Sequence, residues 1–227
     1  MTRLDSLTWQ QIQDRAATSV LAVPLGATEQ HGPHLPLRVD TAIATELADR
    51  LAARLPYVLA APAVPYGSSG EHAGFPGTLS IGQPATELLI VELVRSADAF
   101  AGTVLICGHG GNIEPVTRAV RTLRDEGRRV LSWNLTGPGD DSHAGRTETA
   151  VMLKLHPEEV RTDRAETGNT TPLPELLPTL RQGGVRAVSG NGVLGDPTGA
   201  TADQGVRILD GWAEDLYAAV SRWRSTH

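Results

Sequence analysis

The chain has 227 residues and a mass of 24.1 kDa, and 40% of its residues are hydrophobic and 20% charged. This length and balance are those of a globular domain with a sizeable core, so we predict a single domain over residues 1–227. Its 20 lysine and arginine residues against 26 acidic residues give a net charge of -6, which argues against nucleic acid or an anionic membrane as a partner.

Three further features bear on location and cross-linking. Apolar runs such as residues 20–25 and 58–64 are far shorter than the roughly 20 residues of a membrane helix. The first residues lack the layout of a signal peptide. Cys107 is the only cysteine, which excludes an internal disulfide and a cysteine-based zinc site. We therefore expect a cytoplasmic location and no membrane partner.

Continuous apolar runs alternate with segments of helical period, which predicts a mainly parallel sheet covered by helices on both faces. Strands are predicted at residues 20–25, 57–64, 103–107 and 129–133. Six helices are predicted: from a Thr8 cap to about Ala17, along 43–55, from Pro84 onward, along 116–123, and at 147–155 and 201–224. Gly127 is expected to stop the fourth of these helices. In the third, Leu88, Val91, Leu93 and Val94 are expected to be buried. Residues 156–200 contain many prolines and glycines, and we expect them to be irregular and to form a lid or a subunit contact.

The loop after the first predicted strand contains the first candidate site residues. Ligands of a parallel sheet bind outside the carboxyl ends of its strands, and Glu29, His31 and Asp40 lie in this region. Two carboxylates and an imidazole suit zinc, manganese or iron(II). The alternative is structural, with Asp40 as a helix cap and Glu29 as an exposed loop acid.

Two later loops add to the same edge of the sheet. His109 follows the third predicted strand within a glycine-rich run, residues 108–112, where glycine lets another group approach the backbone closely. A phosphate-binding loop is the rival interpretation, but no Lys-Ser/Thr pair follows these glycines. His143 and Glu148 lie at the start of the next predicted helix.

Together these loops supply enough ligands for two divalent ions. The candidate metal ligands are Glu29, His31, Asp40, His109 and Glu148. Two ions that share a carboxylate would activate a water for attack on an amide or phosphorus centre. His143 is either a further metal ligand, or a residue that polarises the substrate oxygen or protonates the leaving nitrogen.

The motifs in these loops resemble the signature of the creatininase family of metal-dependent amidohydrolases. The resemblance rests on GATEQHGPHLP at residues 26–36 followed by Asp40, EH at 71–72 with FPGT at 75–78, GHGGN at 108–112, HAG at 143–145 with Glu148, and Gly195-Asp196-Pro197. It implies a three-layer α/β/α sandwich, a two-metal centre and hydrolysis of a carbon–nitrogen amide bond.

The resemblance also assigns roles to the metal-site residues. It implies that Glu29, Asp40 and His109 hold one metal, and that Asp40 bridges to a second metal bound by His31. His143 matches the catalytic histidine of the family.

The glycines after His109 mark a departure from the family pattern. True creatininases place an aromatic residue and then a glutamate ligand after the metal-binding histidine, whereas this chain has Gly110 and Gly111. We therefore expect a substrate other than creatinine, and Glu148 as the replacement ligand.

Four residues are expected to line the substrate pocket: Ser69, His72, Gly110 and Gly111. For Ser69 and His72 the alternative is a hydrogen bond that orders the loop.

The C-terminal third points to one branch of the family. Residues 171–178, 184–189 and 191–200 resemble the members that belong to the mycofactocin system. This implies cleavage of a radical-modified ribosomal precursor peptide before its C-terminal Val-Tyr-derived unit, which releases a cyclised amino-lactam. The family also implies a homo-oligomer, a hexamer by resemblance. The alternatives are a hydrolase of creatinine or of a formamide in flavin-like cofactor synthesis, and a non-catalytic peptide-binding scaffold.

Overall fold

The computed structural model describes residues 2–226 and is centred on a four-stranded parallel sheet. Its strands are β1 (Val20–Leu25), β2 (Val58–Ala60), β3 (Gly102–Cys107) and β4 (Val130–Asn134), in the order β2-β1-β3-β4. The predicted parallel sheet is confirmed. The second strand is shorter than predicted, because Pro62 has no N–H for the ladder, and Val64 pairs with Leu25 only through an isolated bridge.

Helices cover both faces of the sheet, so the predicted three-layer α/β/α sandwich is confirmed. One face is covered by α2 (Val39–Arg54), α5 (Arg146–Leu155) and α7 (Ala202–Ser225). The other face is covered by α3 (Gly82–Arg95) and α4 (Ile113–Asp125). Alternate residues of β1 enter the two cores, with Ala22 on the α2 side and Val23 on the α3 side. This two-sided burial explains why β1 is a continuous apolar run.

Two predicted helices differ from the structure. The first helix, α1 (Trp9–Gln13), begins at its Thr8 capping box as predicted but ends well before Ala17. In α3 it is Ile90 that is buried with Val91 and Val94, whereas Leu88 is 61% exposed. Leu88 lies two residues from Ile90, which places it on the opposite side of the helix.

The segment 156–200 is not irregular throughout, because it contains a further helix, α6 (Leu173–Gly183). Its prolines mislead sequence reasoning. Pro174 lies in the first turn, where a missing N–H costs nothing, and only Pro178 lies inside the helix. Gly184 follows with a φ of 68°, a conformation that glycine adopts without strain.

The strand order places a topological switch point between β1 and β3. The chain leaves β1 through α2 on one face and returns to β3 through α3 on the other face. The crevice outside the carboxyl ends of these two strands is where open α/β sheets bind ligands. In residues 2–226 no helix is both long and apolar enough to cross a membrane.

Candidate metal centre

The loop after β1 brings the first three candidate ligands into the switch-point crevice. Glu29, His31 and Asp40 are all buried. Asp40 lies in the first turn of α2, whose N-cap is Arg38, so Asp40 is not the helix cap. Gly26 allows this approach, because a Cβ there would lie 2.5 Å from the Cα of Thr41 on α2. Backbone packing therefore presses the loop against the helix that carries Asp40.

Glu29, Asp40 and His109 form one potential ligand group. His109 follows β3, and its Nε2 lies 3.2 Å from Glu29 Oε2 while its Nδ1 lies 3.5 Å from Asp40 Oδ2. One ligand atom from each residue falls within 4.8 Å of the others. This is the set that the sequence resemblance implies for one metal.

His31, Asp40 and Glu148 form a second group beside the first. His31 Nε2 lies 3.3 Å from Asp40 Oδ1 and 3.7 Å from Glu148 Oε2. The other nitrogen of His31, Nδ1, donates to the Glu29 carbonyl at 3.1 Å, which leaves Nε2 free as a ligand. Asp40 belongs to both groups, with Oδ1 on one side and Oδ2 on the other.

The backbone before α5 orients Glu148. Ala144, which is buried, has a φ of 53°, uncommon for a residue with a Cβ. Its N–H donates to Glu148 Oε2 at 2.6 Å. This contact holds the carboxylate, one turn into the helix, on the His31 side of the cluster.

His143 borders the same cluster, next to Glu29 and His31. Its Nδ1 is 3.7 Å from Glu29 Oε1, and its ring centroid is 4.3 Å from that of His31. Glu29, His31 and His143 form a third group whose ligand atoms lie within 4.8 Å of one another. His143 is held in place by main-chain hydrogen bonds in both directions with Leu194, so the segment 156–200 positions this histidine.

Unsatisfied buried oxygens test whether the centre fits metal ions. Within residues 2–226, both carboxylate oxygens of Glu29 and Asp40 Oδ2 have no hydrogen-bond partner, although both side chains are buried. Buried charged oxygens without a partner are costly. Divalent cations would satisfy all three, and carboxylate oxygens with imidazole nitrogens are ligands that zinc and manganese accept. The residues therefore fit a metal centre.

The carboxylates of the cluster favour the protonated forms of His31 and His109. Burial lowers the pKa of His31. The negative charges of Asp40, Glu148 and Glu29 have the larger combined effect, and they raise this pKa to about 10. Burial likewise lowers the pKa of His109, and Glu29, Asp40 and Glu71 raise it to about 10. Metal ions compete for these same nitrogens, so we expect metal binding to displace protons.

The carboxyl groups are shifted in different directions. Burial favours a raised pKa for Glu29, but the surrounding His109, His72 and His143 hold it well below its usual range. Burial, followed by the charge of Glu29, raises the pKa of Asp40. Burial also raises the pKa of Glu148, to about 7.

His143 and His72 are neutral imidazoles near pH 7. Burial holds the pKa of His143 well below its usual range, and the neighbouring His31 and His72 lower it further. Burial lowers the pKa of His72 to about 4. Each of these rings therefore carries one proton, and its hydrogen-bond partners decide which nitrogen holds it.

The four expected pocket-lining residues differ in their surroundings. Ser69 and His72 are both buried. Ser69 Oγ lies 3.4 Å from His109 Nε2. His72 Nδ1 lies 2.9 Å from the side-chain nitrogen of Gln30, Nε2. A Cβ at Gly110 would meet nothing within 4 Å, whereas a Cβ at Gly111 would lie 2.2 Å from the Ser68 carbonyl oxygen. Gly110 thus faces open space, and Gly111 has no room for a side chain.

Two residues at the site, Glu71 and Gln30, were given no role by the sequence analysis. Glu71 Oε1 lies 3.6 Å from His109 Nε2 and 2.5 Å from where a Cβ of Gly111 would stand. The Glu71 carboxylate thus fills the space next to Gly111. Gln30 lies between two ligands in sequence, and its side-chain amide contacts His72 and His143. The only signal for either residue was its place inside a family motif.

Comparisons with known proteins identify the family of this chain. The creatininase family profile, described as creatinine amidohydrolase, matches residues 5–220. The chain belongs to the creatininase family. One relative, the mycofactocin precursor peptide peptidase of Mycobacterium tuberculosis (strain CDC 1551 / Oshkosh), is 51% identical over 97% of this chain and 91% of its own length. The creatinine amidohydrolase of Pseudomonas putida is 32% identical over 70% of this chain and 73% of its own.

Solved creatininase structures share the fold. A tryptophan-to-alanine variant of creatininase superposes with a TM-score of 0.81 at 26% identity, covering 97% of this chain and 98% of that one. Two further creatininase structures, each 25% identical, are described as a Zn–Zn form and a manganese form. The predicted family and fold class are both confirmed.

Proposed function

We propose that this creatininase-family hydrolase is a metal-dependent peptidase that acts on the mycofactocin precursor peptide. The carrying observation is the identity of 51% over 97% of the chain to a relative of that name, against 32% over 70% for creatinine amidohydrolase. On this proposal, the enzyme cleaves the radical-modified peptide at the peptide bond immediately before the C-terminal Val-Tyr-derived unit. This cleavage releases the cyclised amino-lactam.

The proposed centre holds two divalent ions around Asp40. Glu29, Asp40 and His109 would bind one ion, and Asp40, His31 and Glu148 the other. The separate oxygens of Asp40 that face His31 and His109 support this division, and zinc, manganese and iron(II) all suit the donor set. When bound, the ions would supply an activated water and stabilise negative charge on the amide oxygen.

The proposed role of His143 is proton transfer during cleavage. Burial holds its pKa well below the usual range, and it lies beside Glu29, so it can take up the proton that the attacking water gives up. It would then deliver this proton to the departing amine, which cannot leave as an anion. Main-chain hydrogen bonds with Leu194 fix the backbone of His143, and the 2.7 Å contact between its Nε2 and the Gln30 carbonyl orients the ring.

The two glycines after His109 support a peptide as the substrate. No side chain fills the space above Gly110, and Gly111 lies flat against Ser68 and Glu71. Where true creatininases carry an aromatic residue and a glutamate, this chain has open space at Gly110, and the Glu71 carboxylate occupies the space next to Gly111. A substrate larger than creatinine would use the open space at Gly110, and Ser69 and His72 would line the pocket there or order its loop.

Three expectations about the whole protein remain predictions. These are a single domain over residues 1–227, a homo-oligomer that is a hexamer by resemblance, and a cytoplasmic location without nucleic-acid partners. Light scattering coupled to size-exclusion chromatography would measure the assembly directly.

The peptidase proposal is tested by mass spectrometry of the radical-modified precursor peptide after incubation with metal-loaded protein. We expect loss of the C-terminal dipeptide unit, and no loss in a control treated with chelator. An intact peptide with creatinine hydrolysed in parallel would overturn the proposal in favour of a small-amide hydrolase. Tight peptide binding without cleavage, unaffected by chelator, would indicate a binding scaffold.

A further inference from the structure

The side-chain amide of Gln30 has a single orientation. Gln30 is 5% exposed, and its Oε1 accepts a hydrogen bond from the Gly32 N–H at 2.9 Å. On the other side, Nε2 donates to the Gly192 carbonyl at 3.0 Å. A flipped amide would put an oxygen against that carbonyl and an N–H₂ group against the Gly32 N–H. The oxygen and nitrogen positions are therefore fixed by the main chain.

The Gln30 Nε2 group has two protons but three close neighbours. Besides the Gly192 carbonyl, it lies 2.9 Å from His72 Nδ1 and 3.0 Å from His143 Nε2. His143 Nε2 also lies 2.7 Å from the main-chain carbonyl of Gln30. A carbonyl oxygen can only accept, so His143 Nε2 carries a proton and donates to it. The second amide proton must then go to His72 Nδ1.

The hydrogen bonds of Gln30 determine the tautomer of each ring in its neutral form. His72 accepts at Nδ1, so its proton is on Nε2, 3.4 Å from Glu29 Oε1. His143 donates from Nε2, so in the neutral ring Nδ1 is the nitrogen without a proton, and it lies 3.7 Å from the same oxygen. One residue, through its side chain for His72 and its main chain for His143, thus controls both proton positions.

We propose that Gln30 is a positioning residue, which keeps the proton of both His72 and His143 on Nε2 and so presents a bare Nδ1 of His143 to the metal centre. His143 then starts the reaction as a proton acceptor, and it can donate to the amine only after it has taken a proton. His72 contributes an N–H beside the Glu29 carboxylate, where the N–H dipole favours negative charge. The catalytic part of this inference rests on the proposed function, whereas the tautomers do not.

The direct test is nuclear magnetic resonance of protein labelled with ¹⁵N in its histidine rings, before and after zinc loading. The His72 and His143 signals are assigned by their loss in His72→Gln and His143→Gln. We expect both rings to show a protonated Nε2 and an unprotonated Nδ1. A proton on Nδ1 of either ring in the wild-type protein would overturn the proposal.

A matched pair of variants separates the side-chain effect from general loop disturbance. Gln30→Glu keeps the shape but cannot donate, so His72 Nδ1 should become protonated while His143, held by a main-chain carbonyl, stays unchanged. Thr78→Val removes the acceptor of the Gln30 N–H, a 3.1 Å bond, but leaves the amide in place, so both tautomers should persist. An unchanged His72 in folded Gln30→Glu would contradict the proposed role.

These spectra need no substrate, so they remain informative if the peptide is not cleaved. If Gln30→Glu does not fold, the wild-type spectrum still decides the tautomers. A correct pair of tautomers in a protein that leaves the precursor peptide intact would refute the proposed function alone.

Discussion

The packing around Gly111 gives a quantitative prediction about Gly111→Ala. An added Cβ would lie 2.2 Å from the Ser68 carbonyl oxygen and 2.5 Å from both Glu71 Oε1 and His109 Nε2. The Ser68 oxygen is backbone and accepts a hydrogen bond from His109 Nε2 at 2.9 Å. The loop must therefore move, and the movement displaces a candidate metal ligand.

Overpacking of this kind lowers the free energy of unfolding by about 1–3 kcal/mol. Because about 1 kcal/mol shifts Tm by about 2–4 °C in a chain of this size, we expect Tm to fall by about 2–12 °C. Calorimetry of metal-free protein measures this change, and metal analysis should show less bound zinc.

The neighbouring glycine provides the matched control for stability. A Cβ at Gly110 would meet nothing within 4 Å, so Gly110→Ala should change the free energy of unfolding by less than about 0.5 kcal/mol. Equal Tm values and equal zinc content in the two variants would refute the packing argument. The same geometry predicts that Gly111→Glu does not restore the creatininase ligand, because its first side-chain atom already collides with backbone.

Three other predictions concern the metal ligands. His31→Ala and Asp40→Ala should both abolish turnover. Metal analysis should show that His31→Ala loses one ion and that Asp40→Ala binds both ions more weakly. Retained activity in either variant would contradict the two-metal scheme. Glu148→Gln keeps the shape but removes a charged ligand. Because even partners that only contact a ligand contribute about 10–100-fold to affinity, the second ion should bind at least about 10-fold more weakly in a zinc competition titration. Wild-type affinity would remove Glu148 from the ligand set. Zinc binding near neutral pH should release protons from His31 and His109, whose pKa of about 10 means that each must lose a proton to become a ligand. Zinc affinity should therefore rise with pH, and heats of binding that do not depend on the buffer's ionisation enthalpy would refute this assignment.

Those parts of the structure that depend on burial and chain order follow directly from the sequence. β1 and β3 are continuous apolar runs because both faces of each strand are covered. Glu29 and His109 come together because they follow adjacent parallel strands, whose carboxyl ends meet at one edge. The expected replacement ligand, Glu148, lies 3.7 Å from His31 Nε2.

The parts that depend on exact loop geometry could not be predicted in this way. Gln30 and His72 are 42 positions apart, and only the folded loops bring them within 2.9 Å. Glu71 occupies the space beside Gly111 for the same reason. α6 was missed because its prolines look like helix breakers in sequence, although Pro174 lies in the tolerated first turn.

The claim that Asp40 joins two ions is tested most directly by a crystal structure of the zinc-loaded protein with anomalous scattering at the zinc edge. We expect two peaks, one beside Glu29 and His109 and one beside His31 and Glu148, with Asp40 between them. A single peak, or peaks that Asp40 does not contact, would contradict the two-metal centre.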